Sequence, residues 1–122
     1  MDDGLIIDDN RNTADALQQM LELLDLRARV AYGSSPAMAL LGREVPRFVC
    51  LDINMPGVDG TEVLAYIRRD PRLRKVPVVV ITSDDQPETR QQVMRGGAQA
   101  MLIKPVTIDT LEGGLKKAGI LK

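Results

Sequence analysis

Short runs of consecutive apolar residues recur along the chain, separated by longer mixed segments. They occupy residues 5–7, 30–32, 48–51, 78–81 and 101–103. Within each run the apolar residues follow one another instead of alternating with polar ones, which is typical of strands buried on both faces of a sheet. The pattern therefore predicts five buried strands.

The segments between these runs have helical spacing. The first is the clearest, because its apolar residues recur three or four positions apart and Asn10 or Asn12 is available as an N-cap. We predict the second helix from Ser34, as its cap, to Gly42, and the third and fourth over residues 61–70 and 87–96. The fifth, over residues 108–117, is predicted to be interrupted at residues 113–114, which are both glycine.

Strands that alternate with helices predict βαβ units and a doubly wound α/β fold. With right-handed crossovers, the simplest arrangement is a five-stranded parallel sheet that carries helices on both faces. The pattern fills the chain from end to end. We therefore expect one domain over residues 1–122.

Composition excludes several classes of protein. The chain is 44% hydrophobic but has one Phe, two Tyr and no Trp, and its net charge of −1 comes with no basic stripe, so direct nucleic-acid binding is not expected. The absence of His excludes Ser-His-Asp catalysis and His-ligated zinc. One cysteine excludes a disulfide framework, and the acidic N-terminal segment resembles neither a signal peptide nor a membrane span. These features predict a cytoplasmic protein.

Polar side chains follow four of the five predicted strands. Asp8 and Asp9 follow the first strand, Asp52 the third, Thr82 the fourth and Lys104 the fifth. Because the carboxyl ends of parallel strands form the active crevice of open α/β sheets, we expect these side chains to converge. Three carboxylates and one ammonium leave an excess of two negative charges, which a divalent cation would offset. Oxygen ligands at few positions favour Mg²⁺.

A carboxylate in such a crevice can attack phosphorus and form an acyl phosphate. The metal would offset charge on the donor and acceptor, while Lys104 and the Thr82 hydroxyl would hold the transferred phosphoryl oxygens. Each residue alone is weak evidence, since an Asp-Asp pair before a helix is more often a cap or a solvated turn. The specific feature is their conjunction at the ends of separate strands.

Four segments resemble the motifs of the response-regulator receiver domain of two-component signalling. They are IIDDN at residues 6–10, LDINMPGVDG at 51–60, ITS at 81–83 and LIKP at 102–105, in the family's order and spacing. The resemblance implies a flavodoxin-like (βα)5 fold with strand order 2-1-3-4-5. It also implies a phosphorelay module that is not an enzyme beyond catalysing its own phosphorylation and dephosphorylation.

The same resemblance implies the phosphoacceptor and the metal ligands. Asp52 would accept the phosphoryl group, with a sensor histidine kinase or histidine phosphotransfer protein as donor. Asp9 would bind Mg²⁺ directly, Asp8 partly through water, and Asn54 through its backbone carbonyl oxygen.

By the same match, Thr82 would bond the phosphoryl group and Lys104 would pair with it, and the bond between Lys104 and Pro105 is often cis in this family. The family usually has an aromatic residue or His three positions before the lysine, where this chain has Met101. Met is flexible and has no ring with two separate positions. Thr82 and Met101 are therefore predicted to give a graded change on the face of the fourth helix, fifth strand and fifth helix. That face would bind a downstream protein or an output domain. The alternative is that Met101 is an ordinary strand residue and that output uses another face. A phosphorylation-linked homodimer is a further expectation.

Two further positions are predicted to tune hydrolysis. Asn54 lies two residues after Asp52, and Asp84 lies two residues after Thr82. Small polar side chains at both positions would admit and orient water, which predicts a short-lived phosphoryl group.

Three alternatives remain beside this interpretation. The first is a receiver-like module that binds partners without phosphorylation. The second is an aspartyl-phosphate phosphatase, which would need a general acid where this chain has Asn54. The third is a flavodoxin, in which Asp8 and Asp9 would repel the phosphate of the flavin.

Two other features have structural interpretations. Cys50 lies within a predicted strand and is expected to be a small buried hydrophobic residue. A set of basic residues around the end of the third helix is interpreted as a solvated helix end; it comprises Arg68, Arg69, Arg72, Arg74 and Lys75.

Overall fold

A computed structural model describes residues 2–122 and contains five strands and five helices. The strands are β1 (Gly4–Ile7), β2 (Ala28–Ala31), β3 (Val49–Leu51), β4 (Val78–Thr82) and β5 (Ala100–Ile103). The helices are α1 (Arg11–Leu23), α2 (Ser34–Leu41), α3 (Gly60–Arg69), α4 (Pro87–Arg95) and α5 (Ile108–Lys117). All neighbouring strands are parallel, and their order is β2-β1-β3-β4-β5. The doubly wound fold and its strand order are confirmed.

Burial on both faces of the sheet explains the continuous apolar runs. Leu5 and Ile7 of β1 pack with residues of α2, α3 and α4, whereas Ile6 packs on the opposite face with residues of α1 and α5. Cys50 of β3 belongs to the α1–α5 side, and its burial raises the pKa of the thiol to about 12. Cys50 is therefore a buried hydrophobic residue, as predicted.

The helix ends agree with the predictions at α1 and differ at α2. Asn10 caps α1, since its side-chain oxygen accepts a hydrogen bond from Thr13 N at 3.0 Å. At α2 the N-cap is Gly33, with φ of 121°, and no side chain caps the helix. Ser34 is instead the first helical residue, and its buried Oγ accepts from Val58 N at 3.3 Å. The prediction of Ser34 as a cap is wrong because its hydroxyl binds the loop between β3 and α3.

Helix α5 runs without interruption through Gly113 and Gly114, which corrects the prediction of a break there. A Cβ atom built on Gly114 would lie 2.9 Å from Leu102 Cδ1, whereas one built on Gly113 would meet nothing within 4 Å. Gly114 therefore allows α5 to approach β5 closely. This packing offsets the intrinsic helix penalty of about 1 kcal/mol for a glycine.

Strand β2 also begins two residues earlier than predicted and ends at Ala31, so Tyr32 lies beyond it. It is an edge strand, and its exposed residue Arg29 separates Ala28 from the apolar run at residues 30–32 that predicts the strand. None of the helices within residues 2–122 is long and apolar enough to span a membrane.

Arg68, near the end of α3, is not part of a solvated helix end. Its guanidinium donates two hydrogen bonds to Gly97 O, at 3.1 and 2.8 Å, and one to Gln99 Oε1 at 3.0 Å. It also donates to Arg74 O at 3.1 Å and to Val76 O at 2.8 Å. Burial lowers the pKa of this guanidinium. Arg68 thus ties α3 to the segments that precede β4 and β5.

We predict that Arg68→Lys lowers the free energy of unfolding by about 1–3 kcal/mol, because a lysine ammonium cannot reproduce the planar set of donors. The matched control is Arg69→Lys at the exposed neighbouring position, which should change stability by less than about 0.5 kcal/mol. Urea denaturation monitored by circular dichroism measures both values. Equal stabilities of the two variants would contradict the role assigned to Arg68.

Candidate functional site

Four neighbouring strands deliver polar side chains to one edge of the sheet. Asp8 follows β1, Asp52 follows β3, Thr82 ends β4 and Lys104 follows β5. The parallel ladder extends into these positions, since Asp52 N donates to Ile7 O at 2.9 Å and Lys104 N donates to Thr82 O at 2.8 Å. The register of the strands places Asp8 level with Asp52, with Thr82 one residue and Lys104 two residues farther toward the same edge of the sheet.

Lys104 bridges two buried carboxylates. Its Nζ donates to Asp8 Oδ2 at 2.8 Å and to Asp52 Oδ2 at 2.9 Å, and these two aspartates are 1% and 7% exposed. Burial by itself would lower the pKa of Lys104, but hydrogen bonds and charge from Asp8 and Asp52 outweigh it, and the pKa lies above its usual value. The ammonium therefore remains charged and compensates part of the carboxylate charge.

A third carboxylate completes an acidic cluster. Asp8, Asp9 and Asp52 each offer an oxygen, and these oxygens lie within 4.8 Å of one another. Asp9 is exposed, so the cluster opens to solvent on one side. Clustered carboxylate oxygens with water access are the ligand set of a hard divalent cation such as Mg²⁺, and the excess negative charge favours one. The residues present therefore fit that metal.

Asn54 contacts both the buried aspartate and the threonine of the site. Its backbone N–H donates to Asp52 Oδ1 at 3.0 Å, and its side-chain amide donates to Thr82 Oγ1 at 3.3 Å. The second contact is not among the roles that the sequence predicts for Asn54. Local sequence carries no signal for it, because the two residues are 28 positions apart.

Asp84 lies at the border of the site, where it contacts Thr82 on one side and the start of α4 on the other. Its backbone N–H donates to Thr82 Oγ1 at 3.3 Å. Its carboxylate accepts from Gln86 N at 3.0 Å and from Thr89 Oγ1 of α4 at 2.7 Å, and these two bonds lower the pKa of the Asp84 carboxyl. The side chain therefore anchors the start of α4, and its role in hydrolysis stays a prediction.

The remaining two predicted positions are Pro105 and Met101. The peptide bond between Lys104 and Pro105 is cis. Met101 of β5 is 5% exposed and belongs to the hydrophobic cluster on the α2–α4 side of the sheet. The structure thus brings Asp8, Asp9, Asp52, Asn54, Thr82 and Lys104 together, and places the Met101 side chain in the core.

The family model for the response regulator receiver domain matches residues 5–116. The chain belongs to this family. It is therefore a receiver domain of two-component signalling, a signalling module and not a classical enzyme.

Relatives of this receiver domain support the assignment over most of the chain. It is 36% identical over 110 residues to a 14.6 kDa protein in the sodA1 3′ region of Leptolyngbya boryana, covering 90% of this chain and 82% of that one. It is 33% identical over 107 residues to protein PilH of Pseudomonas aeruginosa, covering 88% of each. The fold is similar to that of chemotaxis protein CheY4 of Vibrio cholerae, with a TM-score of 0.87 at 24% identity over 97% and 98% of the two chains.

We predict that Lys104→Met lowers the free energy of unfolding by about 2 kcal/mol at pH 7 in a buffer containing a metal chelator. Removing the ammonium leaves Asp8 and Asp52 buried without a counter-charge, and the partial exposure of Lys104 reduces the effect below that of a fully buried pair. The control is Lys116→Met, which removes the same charge from an exposed position. Urea denaturation that found no difference between these variants would contradict the compensating role of Lys104.

Proposed function

We propose that this receiver domain accepts a phosphoryl group on Asp52 in a Mg²⁺-dependent reaction and that the modification switches the binding of a downstream partner. The donor is a phosphohistidine on a sensor histidine kinase or a histidine phosphotransfer protein. The observation that carries the proposal is the buried Asp52 carboxylate, held by Lys104 within a cluster of three acidic side chains.

In the transfer step, a carboxylate oxygen of Asp52 attacks the phosphorus atom of the donor. A new O–P bond forms while the P–N bond to the donor imidazole breaks, and the electron pair of that bond returns to the imidazole nitrogen, which takes a proton from solvent. The products are an acyl phosphate on Asp52 and an unmodified histidine. Because this chain contains no His, the donor imidazole belongs to another protein or domain.

The residues that would hold Mg²⁺ are Asp9, Asp8, Asp52 and the backbone carbonyl of Asn54. Bound there, the cation supplies positive charge that offsets the negative charge of the donor phosphate beside the carboxylates. Asp9 suits direct coordination because it is the exposed member of the cluster and makes no ion pair with Lys104. Asp8 is already bonded to Lys104 and to Asn10 N, which suits coordination partly through water.

Lys104 and Thr82 are the groups that would hold the transferred phosphoryl oxygens. Lys104 Nζ already lies 2.9 Å from Asp52 Oδ2, so an oxygen of a phosphoryl group on that carboxylate would lie within its reach. Movement of Thr82 toward the phosphoryl group would pull on Asp84, whose backbone bonds Thr82 and whose side chain bonds α4. The face of α4, β5 and α5 is therefore the proposed surface for an output domain, a target protein or a second phosphorylated copy.

The response of that face is proposed to be graded. Met101 is buried below it and offers no ring that could occupy either of two separate positions. If no acyl phosphate forms in the phosphorylation experiment, the result would favour the alternative, a module that binds partners without phosphorylation.

Incubation with acetyl phosphate or phosphoramidate and Mg²⁺ should add one phosphoryl group, and Asp52→Asn should abolish the addition. The control is Asp85→Asn, which removes an exposed carboxylate beside the site and should leave the addition intact. Intact-mass spectrometry at neutral pH measures both. Phosphorylation of the Asp52→Asn protein would contradict the assignment of Asp52 as the acceptor.

We further predict that Asp9→Ala weakens Mg²⁺ binding at least about tenfold while the fold is retained. Without metal, the variant should be as stable as the native protein or more stable, since one of three neighbouring negative charges is gone. Isothermal titration calorimetry gives the affinity, with Asp85→Ala as the control for loss of a nearby charge. Equal affinities in the native and Asp9→Ala proteins would remove Asp9 from the ligand set.

A further inference from the structure

The hydroxyl of Thr82 has an uneven set of hydrogen-bond partners. Thr82 is 0% exposed, and its Oγ1 accepts from Asn54 Nδ2 and from Asp84 N, both at 3.3 Å. A hydroxyl carries one hydrogen and two lone pairs, so these two donors account for its accepting capacity. Within residues 2–122, these are the hydrogen bonds that the Thr82 hydroxyl makes, and in both of them it is the acceptor.

The buried hydroxyl of Thr82 uses its oxygen as an acceptor twice, so its hydrogen is the part of the group that remains for a further bond. Because both lone pairs of Thr82 are in use, the hydroxyl cannot turn to accept from Lys104 or from water without losing an existing bond. The arrangement therefore leaves one free interaction, which is donation. A phosphoryl oxygen on Asp52 would be an acceptor for that bond.

We propose that Asn54 is a positioning residue that acts through Thr82. Its amide, together with the backbone N–H of Asp84, fills the accepting sites of the Thr82 hydroxyl and so fixes that hydroxyl as a donor to a phosphoryl oxygen on Asp52. This inference rests on the proposed function, because it assigns a role toward the phosphoryl group. It differs from the tuning of hydrolysis, since it concerns the affinity of the site for the phosphoryl group and not the access of water.

The two donors are held in place by different means. The backbone of Asn54 is fixed to Asp52 Oδ1, so one residue spans the acceptor carboxylate and the threonine. The backbone N–H of Asp84 is held by the turn that its own carboxylate forms with Gln86 and Thr89. Only the Asn54 donor belongs to a side chain, and it is therefore the one that substitution can remove.

The test is the affinity for beryllofluoride, a phosphoryl mimic that does not hydrolyse, in the presence of Mg²⁺. Four proteins form a double-mutant cycle: native, Asn54→Ala, Thr82→Val and the double variant. Thr82→Val keeps the shape of the side chain and removes the hydroxyl. We expect Asn54→Ala to weaken binding about tenfold when Thr82 is present and less than about twofold in the Thr82→Val background.

A further variant reverses the sense of the hydrogen bond. In Asn54→Asp the side chain offers acceptors, so the Thr82 hydroxyl would donate to it and be withdrawn from the phosphoryl group. The matching cycle combines Asn54→Asp with Thr82→Val. The coupling energy between positions 54 and 82 in this cycle should exceed the one found with Asn54→Ala. The direct effect of the added charge cancels, because the charge is present with both Thr82 and Val at position 82. Heat denaturation of every variant measures the integrity of the fold.

The outcomes separate this inference from the function on which it rests. Beryllofluoride binding that depends on Asp52, with an equal loss from Asn54→Ala in both backgrounds, would overturn the role of Asn54 and leave the proposed function standing. No loss from Asn54→Ala in the Thr82 background would overturn it as well. Binding that is unaffected by Asp52→Asn would overturn the proposed function and this inference together.

Discussion

The ammonium of Lys104 holds two buried carboxylates together at the carboxyl edge of the sheet, and the rest of the site depends on this contact. Asp8 and Asp52 end neighbouring strands, so the parallel register forces their side chains to be close. Two buried carboxylates this close would repel each other, and their loss of solvation would have no compensation without a counter-charge. Lys104 keeps the carboxylate cluster compatible with a folded, buried environment and leaves excess charge for a cation.

A continuous set of hydrogen bonds connects this charged centre to the protein surface. Asn54 binds Asp52 and Thr82, Thr82 also accepts from the backbone of Asp84, and the Asp84 carboxylate binds Thr89 of α4. These hydrogen bonds therefore connect Asp52 to α4 without involving Met101.

Packing keeps the strands and helices in the register that the site requires. The two faces of the sheet bury separate hydrophobic clusters, and Arg68 fixes the opposite edge by bonding backbone carbonyls near the starts of β4 and β5. The strands that carry Thr82 and Lys104 are thus held at both ends. A small displacement at either edge would change the hydrogen-bond distances on which the site depends.

The sequence by itself determined the five strands, the five helices and the residues at the ends of the strands, because buried parallel strands leave continuous apolar runs and their last positions carry the polar groups. It could not determine the contacts of Arg68, the continuous α5 at Gly114, or the double acceptor role of Thr82. Those depend on atoms brought together from distant positions, such as Arg68 with Gly97 and Gly114 with Leu102. Periodicity reports which side of an element faces the core, whereas the partner that meets each polar atom is decided only when the elements pack.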